Sequence, residues 1–157
     1  IEVTRVLAPV DFKDDSVTDV RAAAALAQSL GVPLLLVHVV APLKGLERFR
    51  PQLDTHNRVQ IERAEQQIQR LASEVGTPAS IETVVAVGSP AEEIARIAVA
   101  RGAGLIVMGL RNQEHIFGPQ PGSVAYRVLS LAPARVLALP PGVTGAEWLR
   151  APIATQS

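Results

Sequence analysis

The chain contains no cysteine and very few aromatic residues. Without cysteine it forms no disulfide, no thiolate metal site and no cysteine nucleophile, and this composition is compatible with a reducing compartment. Aromatic residues make up 3% of the chain although 48% of it is apolar. The core must therefore consist mainly of Ala, Val, Leu and Ile, which suits helices packed on a parallel β-sheet.

Neither sign of charge is in excess. Fifteen acidic residues balance fifteen basic residues, so the chain has no global field that would attract nucleic acid or an anionic membrane, and any anion site must be local. No apolar run approaches the roughly 20 residues that span a bilayer, and the first residues show no signal-peptide pattern. We therefore expect a cytoplasmic protein with no nucleic-acid and no membrane partner.

Strand-like and helix-like patterns alternate along the chain. Apolar runs predict five strands, at residues 6–10, 33–40, 80–87, 104–108 and 135–139. Helical periodicity predicts four helices, one from a cap at Asp14, Asp15 or Ser16 to residue 30 and the others at about residues 52–75, 90–101 and 123–131. Right-handed crossovers then give a five-stranded, parallel, doubly wound sheet with four helices, an α/β fold of the Rossmann-like kind. We place one domain at residues 1–142 and a C-terminal tail at residues 143–157.

Several helix ends carry local signals. Gly31 and Gly102 follow the first and third helical patterns and are predicted to end those helices. The sequence Ser89-Pro90-Ala91-Glu92 predicts a helix start, with the spacing of a capping box and proline at the first helical position. The residues from Ala41 to Pro51, with a glycine and two prolines, are predicted to form a loop.

The segment from Met108 to Val124 gives the strongest indication of function. Gly109 follows an apolar strand, and Gly122 and Ser123 open the next predicted helix, which Ser123 can cap. Free N–H groups and the positive end of a helix favour phosphate, and a glycine lets a ligand approach closely. The segment therefore predicts a phosphate or nucleotide site. An ordinary strand-to-helix connection capped by Ser123 would show the same features.

Three features together resemble the universal stress protein family over about residues 3 to 140. They are the Val-Asp that ends the first strand, the His-Val-Val that ends the second, and the Met-Gly…Gly-Ser-Val after the fourth. ATP-binding members carry Gly, two residues, Gly, nine residues, and then Gly followed by Ser or Thr. This chain keeps the spacing with Gly109, Gly122 and Ser123, but Asn112 replaces the second glycine. Asn tolerates a left-handed backbone, although its side chain takes room from a phosphate.

The resemblance implies that the first and fourth strands lie side by side, with the ligand beyond their carboxyl ends. It implies ATP or another adenine nucleotide as the cofactor, with any Mg²⁺ held mainly by phosphate oxygens. The implied site residues are Asp11 near adenine and ribose, Pro9 and Val10 as the wall, Val39 and Val40 beside the adenine, Met108 and Gly109 beside the ribose and phosphates, and Arg111, Asn112, Gly122, Ser123 and Val124 around the phosphates. The alternative for Arg111 is a solvated loop charge.

The family also implies a homodimer. Its last strand pairs across a two-fold axis, and here that strand contains Val136, Leu137, Ala138 and Leu139. The alternative is an edge covered by the chain's own tail, which contains Trp148 and Leu149. The resulting hypothesis is a stress-response regulator that binds a nucleotide and acts on a protein partner not identifiable from the sequence. The alternative hypothesis is a nucleotide-free interaction module of the same family.

Signals of dedicated catalysis are weak. The three histidines, His38, His56 and His115, fall in a predicted strand, a predicted helix and the predicted phosphate loop respectively, and none accompanies a serine elbow motif. The Gly-Lys-Ser/Thr of a P-loop and the G-x-G-x-x-G of a dinucleotide-binding enzyme are also missing. A phospho-receiver domain would need an Asp closing the third strand and a late Lys, but no Lys follows Lys44. Slow hydrolysis of bound ATP remains compatible with the sequence.

Overall fold

A computed structural model of the chain describes residues 3–12, 16–75, 80–109 and 124–139. Within these ranges, strands and helices alternate in the predicted order. They are β1 (Val6–Pro9), α1 (Ser16–Leu30), β2 (Leu34–Val40), α2 (Arg50–Val75), β3 (Ile81–Val87), α3 (Pro90–Ala100), β4 (Leu105–Gly109), α4 (Val124–Leu131) and β5 (Arg135–Leu139). None of the described helices is both long enough and apolar enough to cross a membrane.

The five strands form one parallel sheet in the order β3-β2-β1-β4-β5. β2 and β3 follow one another on one side of β1, and β4 and β5 follow on its other side. β3 and β5 are therefore the two edge strands. This confirms the predicted α/β class, and it places the reversal of strand order between β1 and β4. In such sheets ligands bind beyond the carboxyl ends of the strands at the reversal.

The core has two layers, one on each face of the sheet. On one face, α1 and α2 cover β1 residues such as Val6 and Ala8. On the other face, α3 and α4 cover residues such as Leu7, Leu35 and Ile106. Burying one such aliphatic side chain contributes about 1.5–3 kcal/mol. This two-sided burial explains why the strands are almost continuous apolar runs without alternation.

The helix ends agree with some of the local signals and not with others. Gly31 and Gly102 end α1 and α3 with φ angles of +68° and +66°, a conformation that glycine adopts readily. Ser89 is the residue before α3, but its side chain makes no capping hydrogen bond, so the predicted capping box is not formed. Glu92 pairs instead with Arg127 of α4, 3.1 Å away, and this pair joins the two helices on that face.

The predicted loop between β2 and α2 is partly helical. A short 3-10 helix occupies Glu47–Phe49, and α2 begins at Arg50, earlier than the sequence suggested. Pro51 does not prevent this because the first turn of a helix needs no intrahelical N–H donor. Asn57 holds the preceding segment against α2, since its side chain accepts from the N–H of Leu43 and donates to the Leu43 carbonyl.

At the amino ends of the strands, three charged residues connect β1, β3 and the end of α3. Arg5 donates to Glu82 of β3 at 3.3 Å and to the carbonyl of Arg101 at 3.1 Å. Arg101 also approaches Glu82, at 3.6 Å. This cluster lies at the amino ends of the strands, whereas ligands of such sheets bind at the carboxyl ends. We therefore assign the cluster to the stability of the fold.

Candidate functional site

The candidate site is a crevice where β1 and β4 end beside each other. We use "the crevice" for the space between Pro9–Asp11 and Met108–Gly109. The ladder between these strands pairs Val6 with Leu105 and Leu7 with Ile106, and both strands continue beyond these pairs. The shared ladder therefore stops before the carboxyl ends of the two strands.

Pro9 explains why this ladder stops early. The N–H groups of Val6 and Val10 donate to the carbonyls of Pro33 and Val37, on the β2 side of β1. Successive residues of a strand face opposite neighbours in the sheet, so position 9 faces β4. Proline has no N–H to donate there, and the crevice begins at this missing bond.

The structure brings together seven of the residues that the sequence assigns to the site. Val10, Val40 and Met108 are buried, Pro9, Val39 and Gly109 are half-buried, and Asp11 is exposed. Val124 is the first residue of α4. The other assigned residues, Arg111, Asn112, Gly122 and Ser123, lie outside the described residues, as do His115 and the tail with Trp148 and Leu149. Their roles stay predictions.

Asp11 is fixed against the start of α1. The hydroxyl of Ser16, the first residue of that helix, donates to Asp11 Oδ1 at 3.1 Å. Ser16 is the one polar side chain that is fully buried in the described part of the chain, at 3% exposure. A buried hydroxyl needs a hydrogen-bond partner, so this contact satisfies Ser16 and orients the carboxylate at the same time.

A histidine supports the turn that contains Asp11. His38 Nδ1 lies 2.7 Å from the carbonyl oxygen of Val10, and the carbonyl can only accept, so Nδ1 carries the proton. The ring of Phe12 packs on the ring of His38 with a centroid distance of 4.4 Å. Phe12 has a φ of +60°, an uncommon conformation for a residue with a side chain, which the surrounding contacts must stabilise.

Asp19 is a site residue that the sequence did not reveal. It lies in the first turn of α1, and its carboxylate fills the space beside Gly109. A Cβ on Gly109 would overlap the Asp19 carboxylate, 2.7 Å from its Cγ. The acidic residue could have been recognised only as a helix-dipole partner near an amino end, because nothing in its spacing connects it with β4.

The end of β2 is fixed from the β3 side. The N–H of Gly88, which follows β3, donates to the carbonyl of Val40 at 3.0 Å. Gly88 has a φ of +150°, and a Cβ there would lie 2.9 Å from Cγ of Glu93 on α3. Glu93 in turn accepts from Arg96 at 2.6 Å, and this contact raises the pKa of the exposed Arg96 guanidinium. The main-chain bond from Gly88 therefore keeps the last residue of β2 attached to the β3 side of the sheet.

The charges around the crevice are asymmetric. Asp11 and Asp19 lie at the start of α1, so that side offers carboxylate oxygens, which accept hydrogen bonds from hydroxyl and amino groups. α4 begins at Val124, and the first turn of a helix carries N–H groups without intrahelical partners and a positive dipole end, which favour an anion. Among the residues that the structure describes, no group of three or more His, Asp or Glu side chains could hold a metal ion.

Comparison with known proteins identifies the family. The family model described as "Universal stress protein family" matches residues 2–140. The "Universal stress protein in QAH/OAS sulfhydrylase 3'region" of Thermus aquaticus is 30% identical over 132 residues, which cover 84% of this chain and 95% of that protein.

Two solved structures have the same fold. A universal stress protein in complex with cAMP has a TM-score of 0.65 and 22% identity, covering 87% of this chain and 96% of that one. A universal stress protein from Archaeoglobus fulgidus in complex with dAMP has a TM-score of 0.60 and 23% identity, covering 88% and 98%. With the family match and the relative from Thermus aquaticus, these findings show that the chain belongs to the universal stress protein family.

Proposed function

We propose that the crevice binds an adenine nucleotide, ATP or a related one. The observation that carries this proposal is the early end of the β1–β4 ladder at the reversal of strand order, with Pro9 on one side and Gly109 on the other. Two family members of the same fold are described in complex with cAMP and with dAMP. Both ligands combine adenine, a sugar and one phosphate, so they share the chemistry that the sequence motif predicts.

The residues around the crevice suit the parts of such a ligand. The half-buried Val39 offers apolar surface to a purine ring, beside the buried Val10 and Val40, and the carboxylate of Asp11 can accept hydrogen bonds from adenine or ribose. The phosphates then point to the start of α4, where the proposal assigns Gly122, Ser123 and Val124 as N–H donors and Arg111 as a charged partner. Mg²⁺ that accompanies the nucleotide would be held mainly by phosphate oxygens.

The position of Asp19 restricts how the ligand sits. The space beside Gly109, which the sequence motif suggested for the ligand, holds the Asp19 carboxylate. A sugar hydroxyl can donate to a carboxylate there, whereas a phosphate at the same place would meet like charge. The proposal therefore puts the nucleoside on the α1 side of the crevice and the phosphates on the α4 side.

The test is direct binding to the purified protein. Acid extraction followed by anion exchange would reveal a nucleotide that copurifies, and calorimetric titration with ATP, AMP, cAMP and GTP measures affinity and base preference. Saturable binding of adenine nucleotides in preference to GTP supports the proposal. No copurified nucleotide and no saturable heat with any of the four would refute it, and would favour the alternative of a nucleotide-free interaction module.

We further propose that the protein acts as a cytoplasmic homodimer whose partner choice responds to the nucleotide, with β5 at the dimer interface. β5 is an edge strand, and the Arg135 N–H donates to the Gly104 carbonyl beside β4, so the N–H groups of Val136 and Ala138 face away from β4. Leu139 is 1% exposed and belongs to the core, so pairing across this edge would use the main chain.

Ala138→Pro removes one outward N–H donor from β5, and sedimentation of this variant should change from dimer to monomer with an unchanged circular dichroism spectrum. A monomeric parent protein would refute this interface.

A further inference from the structure

We infer that His38 is a positioning residue of the proposed nucleotide site, acting through the turn that carries Asp11. This inference depends on the proposed function, because it assigns to His38 an effect on ligand affinity. In the sequence, His38 falls within an apolar strand, and no catalytic partner accompanies it. In the structure its ring makes a hydrogen bond and a ring contact, and both go to residues that flank Asp11.

The first contact is the hydrogen bond from Nδ1 to the Val10 carbonyl, at 2.7 Å. β1 ends at Pro9, so this carbonyl lies just past the regular strand, where the chain begins its turn toward α1. The Val10 N–H already donates to the Val37 carbonyl of β2, so the ring donor adds a second hydrogen bond to the same residue, at the carbonyl that joins Val10 to Asp11. The residue held in this way directly precedes Asp11.

The second contact is the packing of the Phe12 ring on the His38 ring, at 4.4 Å between centroids and with a tilt of 39°. Phe12 directly follows Asp11 and has the unfavourable φ of +60°. Ring packing of this kind stabilises a conformation that the backbone alone would leave readily. His38 therefore contacts the residue before Asp11 and the residue after it. Ser16 in addition donates a hydrogen bond to the Asp11 carboxylate itself.

The same histidine also joins two parts of the proposed site. Val39 and Val40, assigned to the adenine, follow it directly on β2, and Val10 and Asp11 belong to the facing turn. A shift of the His38 ring would change the distance between these two walls. Positioning of this kind matters because small displacements of a binding group lose much of its contribution.

Two variants separate the two contacts. His38→Phe keeps an aromatic ring for Phe12 but has no N–H for the Val10 carbonyl. His38→Asn keeps a donor close to the position of Nδ1 but lacks the ring. His56→Asn is the matched control, because His56 is exposed on α2, far along the chain from the turn.

We expect His38→Phe to weaken adenine-nucleotide affinity about fivefold, the loss that one hydrogen bond typically causes. His38→Asn should recover part of that loss, and His56→Asn should leave the affinity unchanged. A decisive measurement is a double-mutant cycle with Asp11→Ala, because a residue that acts through Asp11 has little further effect once Asp11 is removed. Thermal unfolding of each variant verifies that the comparison is made between folded proteins.

The outcomes are distinct. If the parent protein binds no nucleotide, the proposed function itself fails. If the parent binds and His38→Phe binds equally well, the positioning role is wrong although the proposed function stands. If the effects of His38→Phe and Asp11→Ala simply add, His38 does not act through Asp11, and the inference is also refuted.

Discussion

The carboxylate of Asp19 occupies the space that a side chain at position 109 would need. One residue lies on α1 and the other at the end of β4, so the contact fixes how closely the helix approaches the strand beside it. In this chain an internal contact therefore favours glycine at position 109 independently of any ligand. This relationship gives the first prediction.

Gly109→Ala should destabilise the protein by about 1–3 kcal/mol, the usual range for an added methyl group in a filled space. Asp19→Ala removes the carboxylate that causes the overlap, so adding it to Gly109→Ala should recover stability relative to the single Gly109 variant. Urea unfolding of the four proteins in this cycle measures the coupling. Gly45→Ala is the control, because only the flexible end of the Leu53 side chain lies within 3.1 Å of a Cβ there. Purely additive effects would contradict the contact.

The charged cluster of Arg5, Glu82 and Arg101, at the amino ends of the strands, gives a second prediction. Glu82→Gln removes the negative charge that Arg5 and Arg101 share, at 3.3 and 3.6 Å. Because Arg5 is three-quarters buried, with 24% of its side chain exposed, we expect a loss of about 1 kcal/mol in the free energy of unfolding. The control is Glu47→Gln in the exposed pair with Arg50, which should change stability by no more than about 0.3 kcal/mol. Equal effects of the two substitutions would show that the cluster adds nothing.

The third prediction concerns the missing donor at Pro9. Pro9→Ala supplies an N–H that faces β4, so the β1–β4 ladder can extend toward the crevice. We expect the new amide to be protected from hydrogen exchange and the affinity for adenine nucleotides to fall. The exchange measurement does not depend on a ligand and tests the geometry by itself. An amide at position 9 that exchanges as fast as in an unfolded peptide would show that another feature keeps the strands apart.

Much of the fold could be predicted from the sequence because the signals there are local and repeated. Apolar runs identified the five strands, and Gly31 and Gly102 identified the ends of α1 and α3. The start of α2 was misplaced because Pro51 was interpreted as a loop residue although a first helical turn tolerates it. The capping box was wrong because the Glu92 side chain pairs with α4, a contact between helices that no local pattern contains.

The candidate site, like the fold, could be predicted from the sequence only in part. The carboxyl ends of β1 and β4 could be predicted to within one residue, since a motif and a general rule for α/β sheets both point to the region of Asp11 and Gly109. The contacts of Asp19 and His38 could not, because each joins residues far apart in sequence through side-chain geometry. A carboxylate in a first helical turn and a histidine in an apolar strand have many uses. Only the packing of α1 and β2 against the strand ends determines which of these roles each side chain has.

The last prediction concerns Asn112, where family members that bind ATP carry glycine. If the N–H groups before α4 hold the phosphates, Asn112→Gly should strengthen ATP binding, because it removes a side chain from the space beside a phosphate. Adenosine, which has no phosphate, should bind equally well before and after the change. Gly122→Val should have the opposite effect on ATP, since a branched side chain would occupy the same space. Calorimetric titration of both variants with ATP and with adenosine separates a phosphate effect from a general change in the crevice. Equal shifts for the two ligands would locate the phosphates elsewhere.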